Sequence, residues 1–275
     1  MAGFRTHPVP LTKGNDRVKQ ARKLARRASR TEQRRFLAEG PKAVEEALAL
    51  PGCVVEVFAS VAADERYGDL RGRTPRWTTV DDAALASLCD TVHPQGLVAV
   101  CRFLDRPLDH VVGAGQRLVA VCAEVRDPGN AGTVVRTADA AGADAVVLAG
   151  DSVDPYNPKT VRATVGSLFH VPLALADDPA GALRHLRASG LTVLAADGGG
   201  ELDLDEAADD GLLAAPTAWL FGNEAHGLSD ELAALADHRV RIPIHGRAES
   251  LNLSTAAAVC LYASARSQRS APASG

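Results

Sequence analysis

Residues 118–148 read LVAVCAEVRDPGNAGTVVRTADAAGADAVVL. An apolar run of strand length opens this stretch, an Asp-Pro-Gly turn follows it, and a helical pattern then extends from Gly129 to Ala141. A second apolar run begins at Ala145. Strands that are apolar throughout and alternate with helices are typical of a parallel sheet covered on both faces.

The same alternation continues towards the carboxyl terminus, so the sequence predicts an α/β domain over residues 117–268. The last seven residues, 269–275, are small and polar, and we predict a disordered tail there. After the strand at 118–124, we expect strands at 145–148, 171–175, 191–195, 218–221 and 240–243, and helices at 129–141, 159–168, 179–189, 230–236 and 252–266.

A smaller α/β unit is predicted over residues 1–106, followed by a linker at 107–116 that is rich in glycine. Residues 64–79 are polar and are predicted to form a loop. Elsewhere in this unit we expect helices at 16–35, 42–50 and 81–89 and strands at 54–58 and 97–103.

The composition is that of a globular protein, with 46% hydrophobic and 23% charged residues among 275. No apolar stretch reaches the length of a membrane span or a signal peptide, so we expect a cytoplasmic protein without a membrane partner. The cysteines are scattered, lack zinc-ligand spacing and stand in apolar runs, which predicts buried, reduced thiols and no metal site. They are Cys53, Cys89, Cys101, Cys122 and Cys260.

The charge is distributed unevenly, although the net charge is only −4. Residues 1–35 hold eleven Lys and Arg against two Asp and Glu, whereas residues 108–275 hold twelve against 21. Such asymmetry suggests that the amino-terminal part meets a polyanion, and a solvated basic tail is the alternative.

Three polar loops follow predicted strands, and ligands of open α/β sheets bind beyond the carboxyl ends of strands. In the first loop, Asn130 is by itself most simply read as a helix N-cap. Arg136 shares a helix face with Thr133, and its guanidinium would suit a phosphate or a developing oxyanion. No G-x-G-x-x-G is present, which disfavours a dinucleotide-dependent oxidoreductase.

The second and third loops carry glycine, carboxylate and capping residues. Gly222 would allow a ligand to approach the backbone closely, and Glu224 could accept a hydrogen bond. His226 is a weaker candidate for a general base, because a single loop histidine is more often structural. Ser250, Asn252 and Ser254 are all good caps, and a helix needs only one of them.

Together these loops resemble motifs 1, 2 and 3 of the SpoU (TrmH-type) RNA 2′-O-methyltransferases of the SPOUT superfamily. The resemblance spans residues 117–268 and rests on order and spacing. Residues 35–47 also resemble the substrate-binding domain of that family. A small departure is Thr164, where the family often has Ser. The motifs are Asn130-x-Gly-Thr-Val-Val-Arg136-Thr-Ala, Leu220-Phe-Gly-Asn-Glu224-x-x-Gly227-Leu and Ile242-Pro243-x5-Glu249-Ser250-Leu251-Asn252-x-Ser254.

The resemblance implies a catalytic domain with a trefoil knot and an amino-terminal domain with a ribosomal-protein-like RNA-binding fold. It implies S-adenosylmethionine as cofactor, a homodimer with composite active sites, and structured RNA, in particular 23S ribosomal RNA, as substrate. The catalytic groups of the family map onto Asn130, Arg136, Glu224, Ser250 and Asn252. The cofactor contacts map onto Leu220, Gly222, Asn223, Gly227, Ile242 and Leu251.

Arginine stays protonated in proteins, so we expect Arg136 to grip an RNA phosphate and stabilise the forming alkoxide, while a phosphate oxygen or water takes the proton. Ser250 and Asn252 would orient Arg136 or the nucleotide, and Glu224 would hold the second loop or contact the cofactor. A transfer-RNA or base methyltransferase and a non-catalytic ribosome-assembly protein are the alternatives. The residues predicted to bind RNA phosphates are Arg17, Lys19, Arg22, Lys23, Arg26, Arg27, Arg34 and Arg35.

Overall fold

The structure is a computed structural model that describes residues 9–270, and the chain divides into two units. The first unit comprises the described residues up to Phe103 together with the segment Tyr156–Phe169. The second comprises Leu104–Pro155 and the described residues from His170 onwards. Most of the predicted tail lies outside the described residues, and only its first two positions are seen, at the end of the last helix.

The first unit is built on a four-stranded mixed sheet. Its strand order is β1-β4-β2-β3, in which β4 pairs antiparallel with β1 and β2, and β2 pairs parallel with β3. The strands are β1 (Arg35–Glu39), β2 (Val54–Ser60), β3 (Trp77–Val80) and β4 (Leu97–Arg102). The helices are α1 (Asp16–Lys23), α2 (Arg27–Gln33), α3 (Pro41–Ala49), α4 (Val61–Arg66), α5 (Asp82–Ala86) and α8 (Pro158–Thr164).

Two strands of this sheet were not expected from the sequence. The predicted helix over 16–35 is instead two short helices. The first ends at Lys23, and the second ends before Arg34, which takes the left-handed conformation (φ 50°). The segment that follows becomes β1 because it pairs along its whole length with β4. The predicted loop at 64–79 likewise contains β3 and two short helical segments.

Aromatic packing explains why the segment Tyr156–Phe169 belongs to the first unit. Tyr156 stacks on Phe103 with ring centroids 3.8 Å apart and lies 4.8 Å from Phe36. Phe169 stacks on Phe36 from 6.1 Å. Burial of these rings against one another stabilises the packing of this segment on the first unit, although in the sequence the segment lies between two strands of the other sheet.

The second unit is built on a seven-stranded parallel sheet of order β7-β6-β5-β10-β8-β11-β9. The strands are β5 (Leu118–Ala123), β6 (Ala145–Ala149), β7 (Leu173–Ala176), β8 (Thr192–Ala196), β9 (Leu202–Asp203), β10 (Thr217–Phe221) and β11 (His238–Arg241). The helices are α6 (Leu108–Val111), α7 (Pro128–Ala141), α9 (Pro179–Ala188), α10 (Leu204–Asp209), α11 (Asp230–Ala233) and α12 (Leu253–Ser270). The prediction of a parallel α/β sheet is confirmed.

The strands form a continuous apolar core, with β5, β6 and β10 buried at every position. The segment predicted as a linker differs from expectation: residues 108–111 form α6, and Val111 and Val112 are buried in the core of this unit. Four of the five cysteines are buried and all five are free thiols, as predicted. Burial raises the pKa of the Cys122 thiol to about 12, with a further contribution from the charge of Glu224.

Candidate functional site

Loops from four neighbouring strands meet at one edge of the parallel sheet. Strands β5, β10, β8 and β11 are adjacent and all run in the same direction, so their carboxyl ends lie side by side. Three of these strands precede the three loops singled out in the sequence. The topology therefore brings together motifs that are more than a hundred residues apart.

The first loop connects β5 to α7 through a tight turn. Glu124 takes a left-handed backbone conformation (φ 57°), which is rare for a residue other than glycine. Asp127 caps α7, since its carboxylate accepts the backbone N–H of Asn130 at 2.8 Å, and Pro128 occupies the first helical turn. The interpretation of Asn130 as the N-cap is therefore wrong, and its side chain is available for other contacts.

Glu224 joins the second loop to the first. Its carboxylate accepts the backbone N–H of Arg126 at 3.2 Å, the N–H of Asp127 at 3.0 Å, and Nδ2 of Asn130 at 3.3 Å. Partial burial opposes ionisation of Glu224, but these hydrogen bonds outweigh it and lower the pKa of the carboxyl group. Glu224 is thus held as an anion that fixes the backbone at the start of α7.

Asn130 extends this network to the third loop. Its Oδ1 accepts a hydrogen bond from Nδ2 of Asn252 at 3.1 Å. Asn252 Oδ1 in turn accepts from the backbone N–H of Ser254 at 2.9 Å and from its hydroxyl at 2.7 Å, so Asn252 caps α12. A chain of hydrogen bonds therefore runs from Glu224 through Asn130 to Asn252 and connects all three motifs.

The second loop folds back on itself in a tight turn. Asn223 and Gly227 exchange backbone hydrogen bonds of 2.8 and 2.9 Å, and Asn223 Nδ2 donates to the carbonyl of Glu124 at 2.9 Å. A Cβ atom at Gly222 would collide with the backbone of Gly227. The close approach that Gly222 permits is therefore that of its own loop, whereas the sequence suggested a ligand there. His226 lies exposed in this turn.

A cavity of about 350 Å³ opens between the loops that follow β8, β10 and β11. Five of the six residues predicted to contact a cofactor line it, namely Gly222, Asn223, Gly227, Ile242 and Leu251. The sixth, Leu220, does not, because it is fully buried in the core of the sheet. The other lining residues are Ala196, Asp197, Gly198, Phe221, Glu224, Ala225, Val240, Ile244, Glu249, Ser250, Leu253 and Ala256.

The part of the cavity wall that follows β8 was not predicted from the sequence. Ala196, Asp197 and Gly198 belong to the run AADGGG at 195–200, which directly follows that strand. The rule that ligands bind at the carboxyl ends of parallel strands would have identified it, as it identified the other three loops. The run contains no hydroxyl, amide or basic side chain, so it lacks the residue types that mark the other three loops.

Arg136 and Ser250 are the two predicted catalytic residues without a fixed partner. Both are exposed, and within residues 9–270 neither side chain forms a hydrogen bond or ion pair. Ser250 lines the cavity, whereas Arg136 does not. The predicted contact of Asn252 or Ser250 with Arg136 is absent from the described residues, because Asn252 is engaged by Asn130 and by the start of α12.

The eight basic residues predicted to bind RNA fall into two groups. Arg17 pairs with Glu56 and also donates to Thr78, while the guanidinium of Arg34 lies 4.5 Å from the ring centroid of Phe103 and Lys19 pairs with Asp16 at 3.0 Å. Arg35 is half-buried in β1. The remaining four are exposed at the junction of α1 and α2 and have no ion-pair partner in the described chain: Arg22, Lys23, Arg26 and Arg27.

Among residues 9–270, no three His, Cys, Asp or Glu side chains come together in a way that would hold a metal ion. In the same part of the chain, no helix combines the length and the apolarity needed to cross a bilayer.

The fold and the linked motifs define a methyltransferase-type α/β site, and comparison with known proteins identifies its family. Residues 117–262 match the SpoU rRNA Methylase family, and residues 15–99 match the MRM3-like substrate binding domain. The chain belongs to the SpoU rRNA methylase family, as the sequence resemblance predicted.

Individual relatives resemble the chain over nearly its whole length. The 23S rRNA (guanosine(2553)-2′-O)-methyltransferase RlmP of Bacillus subtilis is 36% identical over 249 residues, covering 90% of this chain and 95% of that protein. A crystal structure of an AdoMet-bound rRNA methyltransferase from Sinorhizobium meliloti is 34% identical, with a TM-score of 0.79 and coverage of 92% and 95%. The SpoU methyltransferase AviRb from Streptomyces viridochromogenes, in complex with AdoMet, is 29% identical, with a TM-score of 0.81 and coverage of 94% and 100%.

Proposed function

We propose that this protein transfers a methyl group from S-adenosylmethionine to a ribose 2′-hydroxyl of 23S ribosomal RNA. The observation that carries the proposal is the hydrogen-bond chain from Glu224 through Asn130 to Asn252, which joins the three motif loops beside a cavity. The relatives named as rRNA 2′-O-methyltransferases support the same reaction and substrate.

The cavity suits S-adenosylmethionine by its chemistry. Ile242, Ile244, Leu251 and Leu253 offer apolar surface for the adenosyl part, and the glycine-rich loops offer backbone polar groups. The lining side chains include three carboxylates and no cation, which fits a cofactor of net positive charge. When bound, the cofactor supplies an electrophilic methyl group on a sulfonium.

In this proposal Glu224, Asn130 and Asn252 are positioning residues that hold the three loops in register. Arg136 carries a free guanidinium suited to an RNA phosphate next to the target ribose. The 2′-hydroxyl would lose its proton to a phosphate oxygen or water as its oxygen forms the bond to the methyl carbon, and the bond between that carbon and the sulfur of the cofactor would break to leave S-adenosylhomocysteine. Arg136 stabilises the negative charge that develops on the oxygen.

The geometry of α7 supports a site shared between two copies of the chain. Asn130 and Arg136 are six residues apart on this helix, so they lie about 9 Å apart along its axis and about 120° apart around it. One helix therefore does not direct both side chains to one reacting atom. A homodimer in which Arg136 reaches the cavity of its partner would reunite them.

Exposed apolar side chains next to the cavity supply a surface for such a dimer. Val259 and Tyr262 lie on α12 and are 37% and 52% exposed, and Leu251 and Ile244 are similarly exposed in the preceding loop. Exposed apolar residues grouped beside a site are typical of interfaces. Light scattering would give the mass in solution, and Tyr262→Asp is expected to shift it towards the monomer.

A complementation experiment tests the shared site directly. Asn130→Ala and Arg136→Ala homodimers should both be inactive. If Arg136 acts in the partner's site, mixed dimers of the two variants contain one site with both native residues and regain activity. If both residues act within one chain, every site in the mixture lacks one of them and activity stays absent.

The remaining features of the proposal concern topology, substrate binding and location. A trefoil knot is supported by the path of the chain, since β11 lies outside β8 whereas α12 returns to pack against α7 and β5. Pulling the unfolded chain from both ends should give a contour length shorter than that of an unknotted chain.

The first hundred residues would bind RNA through the exposed cations at the junction of α1 and α2, with catalysis in the domain that follows. Such an enzyme is expected in the cytoplasm, which cell fractionation would test.

The decisive assay is methylation of purified RNA with labelled S-adenosylmethionine, followed by nuclease digestion and mass spectrometry of the nucleosides. A 2′-O-methylnucleoside from ribosomal RNA is the expected product, and Arg136→Ala is expected to reduce the rate by about 10²- to 10³-fold. A methylated base, or labelling of transfer RNA alone, would contradict the proposal. Failure to bind the cofactor in calorimetry would favour a non-catalytic RNA-binding protein.

A further inference from the structure

The wall of the cavity carries an unusual balance of charge. Asp197, Glu224 and Glu249 line it, and no Lys, Arg or His side chain is among the lining residues. Glu224 is occupied by the hydrogen bonds that hold α7. Asp197 and Glu249 are the carboxylates left to act on a ligand, and Asp197 is the one that the backbone fixes in place.

Asp197 is held rigidly at the carboxyl end of β8. Its backbone N–H donates to the carbonyl of Val240 at 3.0 Å, and its Oδ1 accepts the N–H of Gly199 at 2.9 Å. Its Oδ2 accepts no hydrogen bond within residues 9–270. One carboxylate oxygen is therefore anchored and the other is available at the cavity wall.

One cation, Arg239, partly offsets this charge. Its Nη1 lies 3.7 Å from Oδ2 of Asp197, beyond hydrogen-bond distance, while its Nε donates to Glu201 at 3.0 Å and its backbone N–H donates to the same carboxylate at 3.1 Å. A single guanidinium thus faces two carboxylates and is committed to Glu201. The net charge of the side chains beside the cavity therefore stays negative.

We propose that Asp197 makes the cavity selective for the cationic cofactor over its neutral product, an inference that rests on the proposed function. At neutral pH, S-adenosylmethionine has a sulfonium, an ammonium and a carboxylate, so its net charge is positive. After methyl transfer, S-adenosylhomocysteine has a thioether in place of the sulfonium and no net charge. The fixed carboxylate attracts the cofactor before the reaction and loses that attraction once the methyl group has left.

The consequence is a bias towards product release. Between two unit charges within one small, solvent-connected cavity, the attraction changes affinity by roughly 3- to 10-fold. Removing the charge of Asp197 should weaken binding of S-adenosylmethionine by that factor and leave binding of S-adenosylhomocysteine nearly unchanged. The KM for the cofactor would rise, and inhibition by the product would become relatively stronger.

Isothermal calorimetry on the full-length protein tests this with three probes: S-adenosylmethionine, S-adenosylhomocysteine and sinefungin, an analogue with an ammonium near the sulfonium position. Asp197→Asn keeps the oxygen that accepts from Gly199, so the loop should persist, and unchanged circular dichroism and Tm would verify this. Asp209→Asn on α10 is the matched control, because this aspartate is exposed and does not line the cavity. We expect Asp197→Asn to weaken the two cationic probes and spare the neutral one.

A second variant is expected to change the cofactor preference in the opposite direction. Arg239→Gln removes the cation that faces Asp197 and should increase the preference for S-adenosylmethionine over S-adenosylhomocysteine. Equal losses for all three probes in Asp197→Asn, or an unchanged preference in both variants, would overturn the inference. If the wild-type protein binds none of the probes, the proposed function itself fails, so the two failures are distinguishable.

Discussion

The sharpest test of the site's architecture is Glu224→Gln. The carboxylate accepts three hydrogen bonds from the first loop, two from the backbone N–H groups of Arg126 and Asp127 and one from Asn130. Glutamine has the same shape but replaces one acceptor oxygen by an NH₂ group, which would face another donor. At least one hydrogen bond is lost and the negative charge that strengthens the others disappears.

The magnitude follows from these contacts. A hydrogen bond to a charged group contributes about 1.5–3 kcal/mol when buried, but water can replace part of each bond because Glu224 is exposed. We therefore expect Glu224→Gln to lower the free energy of unfolding by about 1–2 kcal/mol at pH 7. Glu206→Gln, an exposed carboxylate in the first turn of α10, is the control and should cost no more than about 0.5 kcal/mol.

The effect has a definite pH dependence. Because the pKa of Glu224 is lowered in the folded protein, its stabilisation is complete above the unfolded-state pKa of about 4.3 and is lost as the pH falls through the folded-state pKa. The difference between wild type and Glu224→Gln should therefore shrink in acid. Urea unfolding followed by fluorescence of the buried Trp219 in the same unit measures it. A difference that is absent at pH 7, or that persists unchanged at low pH, would refute the ionised-anchor explanation.

Three further predictions concern stability, each measured as the free energy of unfolding in urea. Ser264→Ala should cost about 1–3 kcal/mol, because Trp219 donates its indole N–H to Ser264 Oγ at 2.8 Å where both are fully buried, and an unchanged midpoint would contradict this. Asp127→Ala should cost about 0.5–2 kcal/mol through loss of the α7 cap, and Asp127→Asn should recover most of it. Val165→Gly should stabilise the protein by about 0.5–1 kcal/mol, because the exposed β-branched Val165 has a φ of 51°, which glycine adopts without strain. This gain should exceed the cost of a more flexible unfolded chain. Destabilisation would show that the conformation of Val165 carries no strain.

A final prediction concerns RNA binding by the first unit. Replacing Arg22, Lys23, Arg26 and Arg27 by Gln should weaken binding and reduce the slope of log affinity against log salt by up to about four. Replacing Arg17 is expected to lower stability instead, because it pairs with Glu56. If the fourfold variant keeps both affinity and slope, RNA meets another surface.

The sequence by itself determined the architecture of the catalytic half. Apolar strands alternating with helices need no long-range information to be recognised, and that pattern predicted six of the seven parallel strands; the two-residue strand β9 was not predicted. The three motif loops were found because cap and turn residues cluster at strand ends. Their family resemblance also identified Glu224, Asn130 and Asn252, which the structure links by hydrogen bonds.

Only the tertiary structure decided features that depend on distant partners. The strand β1 exists because β4 pairs with it, and the segment Tyr156–Phe169 joins the first unit because its aromatic rings pack on Phe36 and Phe103. The roles of individual side chains were equally hidden. Leu220 is core and Arg17 is ion-paired, whereas Asp197 stands at the cavity wall because parallel pairing aligns β8 with the strands of the motif loops. Local patterns specify elements, but burial and partners are set by residues far away in the chain.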